Sequence, residues 1–584
     1  MFGVASTDKN VEEAYLNPKV VGQSAVWIAK QAGFEVPENT VIIAAECKQV
    51  GPKEVLTKEK LSPVLALLKS NSTEEGISLS RQMVEFNGMG HSAAVHTASK
   101  EISEAFGKAI PAMRIIWNSP STFGGIGDVY NAFMPSLTLG CGSYGKNSVG
   151  DNVGAIHLLN IKKIGRRNNN MQWFKVPEKI YFERNSIRYL SEMRDVEKVF
   201  IVTDKSMVDL GFYNLIVEQL QNRHNKVSIQ LFADVEPDPS IETVQKGFEA
   251  MRTFQPDTII ALGGGSPMDA AKGMWIFYEH PETNFDDLKQ KFIDIRKRAF
   301  KYPDLGRKAK MVCIPTTSGT GSEVTPFAVI TDKKANKKYP LADYSMVPDV
   351  AIVDSIFTTN LPASVTADTG MDVLTHATEA FVSNFASDYT DGLCIQAVKL
   401  VFEYLERAVK NGRQDLEARE KMHNASTMAG MAFGNAFLGI NHSLAHKIGG
   451  RWHVPHGRIN AILMPHVIRY NGTFPEKPSL WPKYNVYKAD QRYAELARIL
   501  GLKADTVEEG VESYAKACHE LAERCGITMN FMAQGIEEED FLKHEESVAY
   551  LAYEDQCSPC NPRLPLVKDM REILKKAYYP QTKK

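Results

Sequence analysis

Residues 257–280, DTIIALGGGSPMDAAKGMWIFYEH, decide the fold of this chain. An apolar run of strand type leads directly into the glycine cluster GGGS at 263–266, and a stretch with helical character follows. Glycines at such a junction let the backbone approach a ligand closely, and the first turn of a helix presents unpaired N–H groups to an anion. We interpret this turn as a cradle for a pyrophosphate, with a plain tight turn as the alternative. The pattern is not GxGxxG, so the ordinary Rossmann fingerprint does not apply.

The alternation of strand and helix patterns continues on both sides of this turn. Strand-type runs occupy 198–204, 226–235 and 309–315, and helical patterns occupy 211–222 and 240–254. Alternation at this spacing is typical of βαβ units around a parallel sheet. We therefore predict a Rossmann-like α/β nucleotide-binding domain over 177–358.

Polar residues follow two other strand-type runs of the predicted sheet. Asp204 ends the run IVTD. A carboxylate there can accept hydrogen bonds from an adenosine ribose and would repel a 2′-phosphate, which favours NAD(H) over NADP(H), whereas a turn-forming aspartate is the ordinary alternative. The turn PTTSGTGSEVT at 315–325 offers the hydroxyls of Thr316 and Thr317 to a ligand, and its glycines allow close approach. A turn without a binding role is the alternative.

Strand patterns stop after about residue 356, and long helical patterns take over. They occupy 387–412, 416–436, 455–471, 491–500, 510–525 and 565–578. We predict an all-helical domain over 359–584. An α/β half followed by a helical half leaves a cleft between them, and such clefts are preferred ligand sites.

The helical half carries one carboxylate and three imidazoles in a pattern that suits a metal. Asp372 and His376 are four residues apart in TGMDVLTHATEA, so both side chains project from one helix face. His442 and His456 belong to GINHSLAHKIGGRWHVPHG, and five of the fourteen histidines lie between 442 and 466. Taken singly, each histidine is more often a surface or core residue. Together the four residues make a thiolate-free ligand set for a divalent metal.

Composition excludes several classes of protein. A net charge of −2 with 24% charged residues gives no bulk attraction to nucleic acid or to an anionic membrane. There is no apolar run of about 18 residues and no signal-peptide pattern at the N-terminus. Eight scattered cysteines fit free thiols in a reducing cytoplasm. Cys557 and Cys560 form a CxxC without a second pair at zinc spacing, and we interpret their surroundings as a proline-rich loop.

At GGGSPMDAAK, PTTSGTGSEVT, GMDVLTHATEA and NHSLAHKIGGRWHVPHG the chain resembles the iron-containing (group III) alcohol dehydrogenases. The resemblance runs from about residue 172 to the end. The chain resembles the alcohol dehydrogenase half of the bifunctional aldehyde–alcohol dehydrogenases even more closely. This resemblance implies a fermentative, NAD(H)-linked oxidoreductase that interconverts acetaldehyde and ethanol.

The resemblance also implies a role for each matching residue. Asp372, His376, His442 and His456 match the ligands of a catalytic Fe²⁺, for which Zn²⁺ is a possible substitute. His446 matches a position near the nicotinamide and the substrate, where it is expected to act in proton transfer. The positions that match cofactor-binding residues are Asp204, Gly264, Gly265, Ser266, Thr316, Thr317 and Lys338.

Residues 1–161 resemble the last part of the aldehyde dehydrogenase half of the same fusion enzymes, and a polar linker is predicted at 162–176. Glu59 matches a position near the nicotinamide ribose. The family's dinucleotide-binding region and catalytic cysteine lie upstream of the point where this chain begins, and neither Cys47 nor Cys141 matches the nucleophile. We therefore expect no reduction of acetyl-CoA with NADH.

Other functions stay open at this point. A zinc polyol dehydrogenase or a dehydroquinate-synthase-like lyase would share the glycine cradle and the helical metal domain, although the histidine of PHG favours the alcohol dehydrogenase. A bifunctional enzyme with an incomplete aldehyde dehydrogenase half is a further alternative. Because the fusion family is known for helical filaments, residues 1–161 could instead serve assembly, and we expect a homo-oligomer, either a dimer or a filament.

Overall fold

The computed structural model describes residues 2–3, 15–128, 131–164, 173–290, 294–297, 300–335, 337–475 and 487–580. The chain divides into two compact units, Met1–Asn170 and Met171–Lys584. Part of the predicted linker, 165–172, lies outside the described residues. In the described part of the chain, no helix has the length and apolar character that crossing a bilayer requires.

The described residues of the first unit form short sheets and four α-helices. Its strands are β1 (Phe2–Gly3), β2 (Tyr15–Leu16), β3 (Ile43–Glu46), β4 (Val64–Leu67), β5 (Gly90–Val95) and β6 (Ala112–Trp117). β1 and β2 pair antiparallel, whereas β3 with β4 and β5 with β6 pair in parallel. The helices are α1 (Ala25–Gln31), α2 (Thr73–Phe86), α3 (Lys100–Ala109) and α4 (Ser121–Ile126). Glu59 is exposed, and Cys47 is buried, which raises the pKa of its thiol.

The α/β half of the second unit is built on six parallel strands. Its strands are β7 (Lys179–Phe182), β8 (Lys198–Val202), β9 (Ser228–Phe232), β10 (Thr258–Gly263), β11 (Lys310–Pro315), β12 (Phe327–Asp332), β13 (Lys337–Ala342) and β14 (Val350–Val353). The sheet order is β7-β14-β11-β10-β8-β9, and β12 with β13 forms a separate antiparallel pair. The helices are α5 (Tyr189–Glu192), α6 (Lys205–Asp209), α7 (Phe212–Gln221), α8 (Ile241–Phe254), α9 (Gly265–Glu279) and α10 (Phe285–Leu288). The predicted parallel sheet is confirmed.

Helices cover both faces of this sheet, which explains why its strands are continuous apolar runs. On one face Ile259 packs in a cluster with Met274 and Trp275 of α9. On the other face Ile260 packs in a cluster with Ile216 of α7. After β9 the chain crosses to the other side of β8, where β10, β11 and β14 fill the sheet between β8 and β7. The boundary between β8 and β10 is therefore the switch point at which ligands of such sheets bind.

The second half of this unit is helical, as predicted. Its helices are α11 (Ala363–Val382), α12 (Asp388–Asn411), α13 (Leu416–Ala436), α14 (Ile440–Trp452), α15 (His456–Gly472), α16 (Ala489–Ile499), α17 (Val507–Arg524), α18 (Glu538–Tyr553) and α19 (Val567–Tyr578). α11 runs through the centre, since nearly every residue from Thr366 to Val382 is buried. A helix that is buried all round has no solvent-facing stripe. Its polar residues therefore need partners inside the protein.

Candidate active site

Three neighbouring strands bring polar groups to one edge of the sheet. β8, β10 and β11 are adjacent and parallel, so their carboxyl ends lie at the same edge. The N–H of Thr316 donates to the carbonyl of Gly263 at 3.0 Å, which ties the two turns together. Asp204 follows β8 at this edge as well.

The glycine turn between β10 and α9 leaves an open cradle. Gly263 has φ +149°, and a Cβ there would lie 2.6 Å from Cγ of Pro267. Gly264 is the N-cap of α9, a 15-residue helix, and it remains partly exposed. A Cβ on Gly265 would approach Cγ2 of Thr320 to 3.3 Å, so a side chain would fill the space between the two turns. Free N–H groups at the start of a helix beside this space suit the pyrophosphate of a dinucleotide.

Asp204 and Lys338 flank this turn in different ways. Asp204 caps α6, because its Oδ1 accepts from the backbone N–H of Met207 at 3.2 Å. Lys338 connects to the cradle through Asp238. Its Nζ lies 2.7 Å from Oδ2 of Asp238, whose backbone N–H donates to Oγ of Ser266 at 3.2 Å.

Three of the four predicted metal ligands converge on a carboxylate oxygen of the fourth, Asp372. Oδ1 of Asp372 lies 3.9 Å from Nε2 of His376, 3.5 Å from Nε2 of His442 and 3.7 Å from Nε2 of His456. Ligand bonds of about 2.1 Å would place donor atoms roughly 3.0–3.5 Å apart, so a small contraction would accommodate a divalent metal. Asp372, His376 and His442 are buried, whereas the side chain of His456 is 43% exposed. The donor set and its spacing fit a metal with one side open to solvent.

The protonation states of Asp372 and His376 suit the binding of a cation. Burial acts to raise the pKa of Asp372, but the neighbouring imidazoles hold that pKa well below its ordinary value. Burial lowers the pKa of His376 to about 4, so its imidazole is neutral at pH 7. An ionised carboxylate beside a neutral imidazole is the protonation state that a metal ligand needs.

Two further residues of the site carry no signal in the sequence patterns. Glu379 lies one turn beyond His376 on α11 and is hydrogen-bonded to Nδ1 of His442. Asn460 donates through Nδ2 to Oδ1 of Asp372 at 2.7 Å and lies 3.1 Å from Nε2 of both His442 and His456. The amide of Asn460 therefore contacts the same oxygen and nitrogen atoms that would bind a metal. A residue that orients a ligand imidazole is the expected outer partner of a metal, so a search for a carboxylate near the ligand histidines could have found Glu379.

His446 lies beside the ligand set without joining it. It is one turn beyond His442 on α14, and its ring stacks on His456 at a centroid distance of 5.6 Å. The side chain is 39% exposed, and Nδ1 lies 3.2 Å from Oδ2 of Asp555. This places a fourth imidazole at the rim of the predicted metal site, within reach of a small molecule.

The polar turn after β11 contacts the helix that carries the metal ligands. A Cβ on Gly319 would lie 2.8 Å from Cβ of Thr369, which is one turn before Asp372 on α11. Oγ1 of Thr427 on α13 donates to buried Glu323 at 2.7 Å. The predicted cofactor turn and the predicted metal site are therefore neighbours.

Comparisons with known proteins agree with this arrangement. Residues 177–355 match the family model of iron-containing alcohol dehydrogenase, and residues 366–578 match the C-terminal model of the Fe-containing alcohol dehydrogenase family. The aldehyde-alcohol dehydrogenase of Streptococcus pneumoniae serotype 4 is 68% identical over 578 residues, which is 99% of this chain and 65% of that protein. This chain thus spans about two thirds of the length of that relative.

Shorter relatives match about 70% of this chain over nearly their whole length. The NADPH-dependent butanol dehydrogenase of Clostridium saccharobutylicum is 43% identical over 409 residues, covering 70% of this chain and 98% of that protein. The solved structure of sulfoacetaldehyde reductase from Bifidobacterium kashiwanohense in complex with NAD⁺ superposes with a TM-score of 0.59 at 26% identity, covering 70% of this chain and 99% of that one.

Proposed function

This chain belongs to the iron-containing alcohol dehydrogenase family, and from that premise we propose that it reduces acetaldehyde to ethanol with NADH and catalyses the reverse reaction. The observation that carries the proposal is the convergence of Asp372, His376, His442 and His456 beside the turn that follows β11. Acetaldehyde as the substrate is supported by the relatives named aldehyde-alcohol dehydrogenase. The bifunctional activity of those longer proteins is a wider alternative for the same chain.

Asp372 and the three histidines would hold Fe²⁺, with Zn²⁺ as a possible substitute, since both metals accept imidazole and carboxylate. A metal bound there supplies a Lewis acid that polarises the oxygen of the aldehyde or alcohol. The protein residues orient the metal ligands and leave space for the substrate. Glu379 fixes the ring of His442, and the exposed side of His456 leaves room for the substrate.

NADH is the proposed hydride donor, and the edge formed by β8, β10 and β11 is its proposed site. Gly264, Gly265 and Ser266 would receive the pyrophosphate, and Thr316 and Thr317 would contact the cofactor from the next turn. The NAD⁺ complex of sulfoacetaldehyde reductase supports this choice of nucleotide. The butanol dehydrogenase relative is named for NADPH, so the carboxylate of Asp204 is the feature here that favours NADH.

His446 is the proposed proton carrier. Its imidazole lies at the rim of the ligand set, and Asp555 holds its Nδ1 side. Through its other nitrogen the ring can give a proton to the product oxygen, directly or through a water. The zinc polyol dehydrogenase and the lyase alternatives share the cradle, and a substrate panel separates them from the alcohol dehydrogenase.

Three further expectations concern the whole chain. We propose that the first unit is related to the aldehyde dehydrogenase half of the fusion enzymes, because relatives of that name cover 99% of this chain. Eight free cysteines support a reducing, cytoplasmic location. Self-association into a dimer or filament is tested by light scattering.

The decisive experiment follows NADH oxidation by acetaldehyde before chelation, after chelation and after restoration with Fe²⁺ or Zn²⁺. His442→Ala should lose bound metal and activity together. His453→Asn is the matched control, because His453 is exposed on the same segment with φ +56°, a conformation that asparagine tolerates. A fully active enzyme after metal removal would refute the proposal.

A further inference from the structure

A second group of metal-binding side chains lies on the outer side of His446. A ring nitrogen of His446, a carboxylate oxygen of Asp555 and Sγ of Cys557 all lie within 4.8 Å of one another. Asp555 and Cys557 come from the short segment that follows α18, and His446 comes from α14. The three donors are therefore brought together by tertiary contact and not by a local sequence motif.

Asp555 is the anchor of this group. Its carboxylate is 8% exposed and meets Nδ1 of His446 at 3.2 Å and Nζ of Lys447 at 2.6 Å. The backbone N–H of Cys557 donates to its Oδ1 at 3.1 Å. Three donor groups thus surround this carboxylate, which keeps its oxygens aimed at the space between His446 and Cys557.

The group is open to ions from solution. The His446 side chain is 39% exposed, and Cys557 is one of two cysteines, with Cys141, that are not fully buried. A metal binds cysteine as the thiolate, so the Cys557 thiol gives up its proton when the ion arrives.

We propose that His446, Asp555 and Cys557 form a second metal site, distinct from the Asp372 site, which takes Zn²⁺ and inhibits the enzyme. Zn²⁺ binds imidazole, carboxylate and thiolate together in tetrahedral sites. A thiolate ligand also favours Zn²⁺ over harder ions such as Mg²⁺ and Ca²⁺. The catalytic ligand set has no thiolate, which makes the two sites chemically different.

Binding of Zn²⁺ releases one proton, selects one tautomer of His446 and breaks one ion pair. The Cys557 thiol releases one proton to solvent, the neutral imidazole of His446 carries its hydrogen on Nε2 while Nδ1 binds the metal, and the Lys447 ammonium leaves Asp555. Both nitrogens of His446 are then occupied, so the ring cannot accept a proton. Inhibition by this route rests on the proposed function, in which His446 carries the proton, whereas the binding of metal does not.

Cobalt spectroscopy tests the site without any activity assay. The full chain is loaded anaerobically with one equivalent of Fe²⁺, and one further equivalent of Co²⁺ is added. We expect a near-ultraviolet charge-transfer band from thiolate to cobalt, which the thiolate-free first site cannot produce. Cys557→Ser should abolish the band, and Cys141→Ser, the control with the other accessible thiol, should keep it. A wild-type protein without the band, or a band that survives in Cys557→Ser, overturns the site.

Zinc titration of the iron-loaded enzyme tests the inhibition. Saturating Zn²⁺ should lower the rate of NADH oxidation with acetaldehyde by about a hundredfold, the usual contribution of a proton-transferring side chain. Cys557→Ser should raise the zinc concentration for half inhibition about 10–100-fold, whereas Lys447→Gln should lower it because no ammonium competes for Asp555. Equal zinc inhibition of wild type and Cys557→Ser would mean that zinc acts somewhere other than this group, and it would overturn the proposal. If the chain reduces no aldehyde at all, the proposed function fails while the cobalt band still decides the site.

Discussion

At Glu379 a single buried carboxylate decides which nitrogen of His442 faces Asp372. Burial acts to lower the pKa of His442, yet Glu379 and Asp372 raise it to about 9. Nδ1 is held by Glu379, so Nε2 points at Oδ1 of Asp372. A ligand imidazole with a fixed orientation loses little freedom when a metal binds.

Glu379→Gln should weaken metal binding about 10–100-fold, because an amide can no longer accept the Nδ1 hydrogen with a full negative charge. The measurement is competition with a chelator at constant protein concentration. Glu545→Gln is the control, since Glu545 is also buried but pairs with Arg571. Equal losses in both variants would show a general effect of a lost buried charge.

Asp204→Asn should raise kcat/KM with NADPH relative to NADH about tenfold, which corresponds to roughly 1.4 kcal/mol. Asparagine is an equally good N-cap for α6. The change therefore removes the charge that repels a 2′-phosphate and keeps the cap of the helix. Asp209→Asn, at the exposed end of the same helix, controls for a change in net charge. An unchanged preference for NADH in Asp204→Asn would remove Asp204 from the nucleotide site.

Glu236 should make the segment after β9 sensitive to acid. Burial acts to raise its pKa, but hydrogen bonds from Ser240, Thr243 and Lys333 lower it to about 2 from its ordinary 4.5. A depressed carboxyl pKa contributes stability that is complete above 4.5 and is lost as the pH falls towards 2. The difference in melting temperature between wild type and Glu236→Gln should therefore shrink between pH 5 and pH 2, and a constant difference would contradict this role.

At the scale of elements, the α/β and helical halves meet through two glycines. A Cβ on Gly430 of α13 would lie 2.7 Å from Val324 and 3.0 Å from the backbone of Gly321, in the turn after β11. The helix and the turn therefore touch backbone to backbone, and no other residue fits without movement. This contact fixes the proposed cofactor turn against the metal-binding half.

Gly430→Ala should destabilise the protein by about 1–3 kcal/mol and raise KM for NADH, because the turn must move away from α13. Gly392→Ala on α12 is the control, since nothing lies within 4 Å of its added Cβ. Alanine there should be neutral or stabilising by up to about 1 kcal/mol. Thermal unfolding and NADH titration of both variants decide the matter, and matching behaviour would contradict the packing argument.

Elements with a strong local period were predictable, and elements defined by pairing were not. The helical pattern at 416–436 coincides with α13. The strand pattern at 309–315 begins one residue before β11 and ends with it. The pair β12 and β13 has no regular strand pattern, because β13 begins with exposed lysines and contains Pro340. β14 is only four residues long, so its place beside β11 follows from the sheet and not from its own sequence.

At the scale of the molecule, the second unit has the dimensions of an independent enzyme. The unit is Met171–Lys584, and the butanol dehydrogenase relative matches over 409 residues and 98% of its own length. We expect residues 171–584 alone to fold and to reduce acetaldehyde with NADH at a kcat close to that of the full chain. Circular dichroism, activity and light scattering of both forms test this, and an insoluble or inactive fragment would show that the second unit depends on the first.

The sequence by itself determined whatever depends on near neighbours. The strand, glycine turn and helix at 257–280 and the four-residue spacing of Asp372 and His376 follow from local backbone geometry, in which period and spacing fix direction. Only the tertiary structure decided which distant side chains meet. Glu379 on His442, Asn460 on Asp372 and Asp555 on His446 join residues that are 63, 88 and 109 positions apart. Such contacts arise because buried polar groups must be satisfied inside a packed core, and no local pattern records which partner satisfies them.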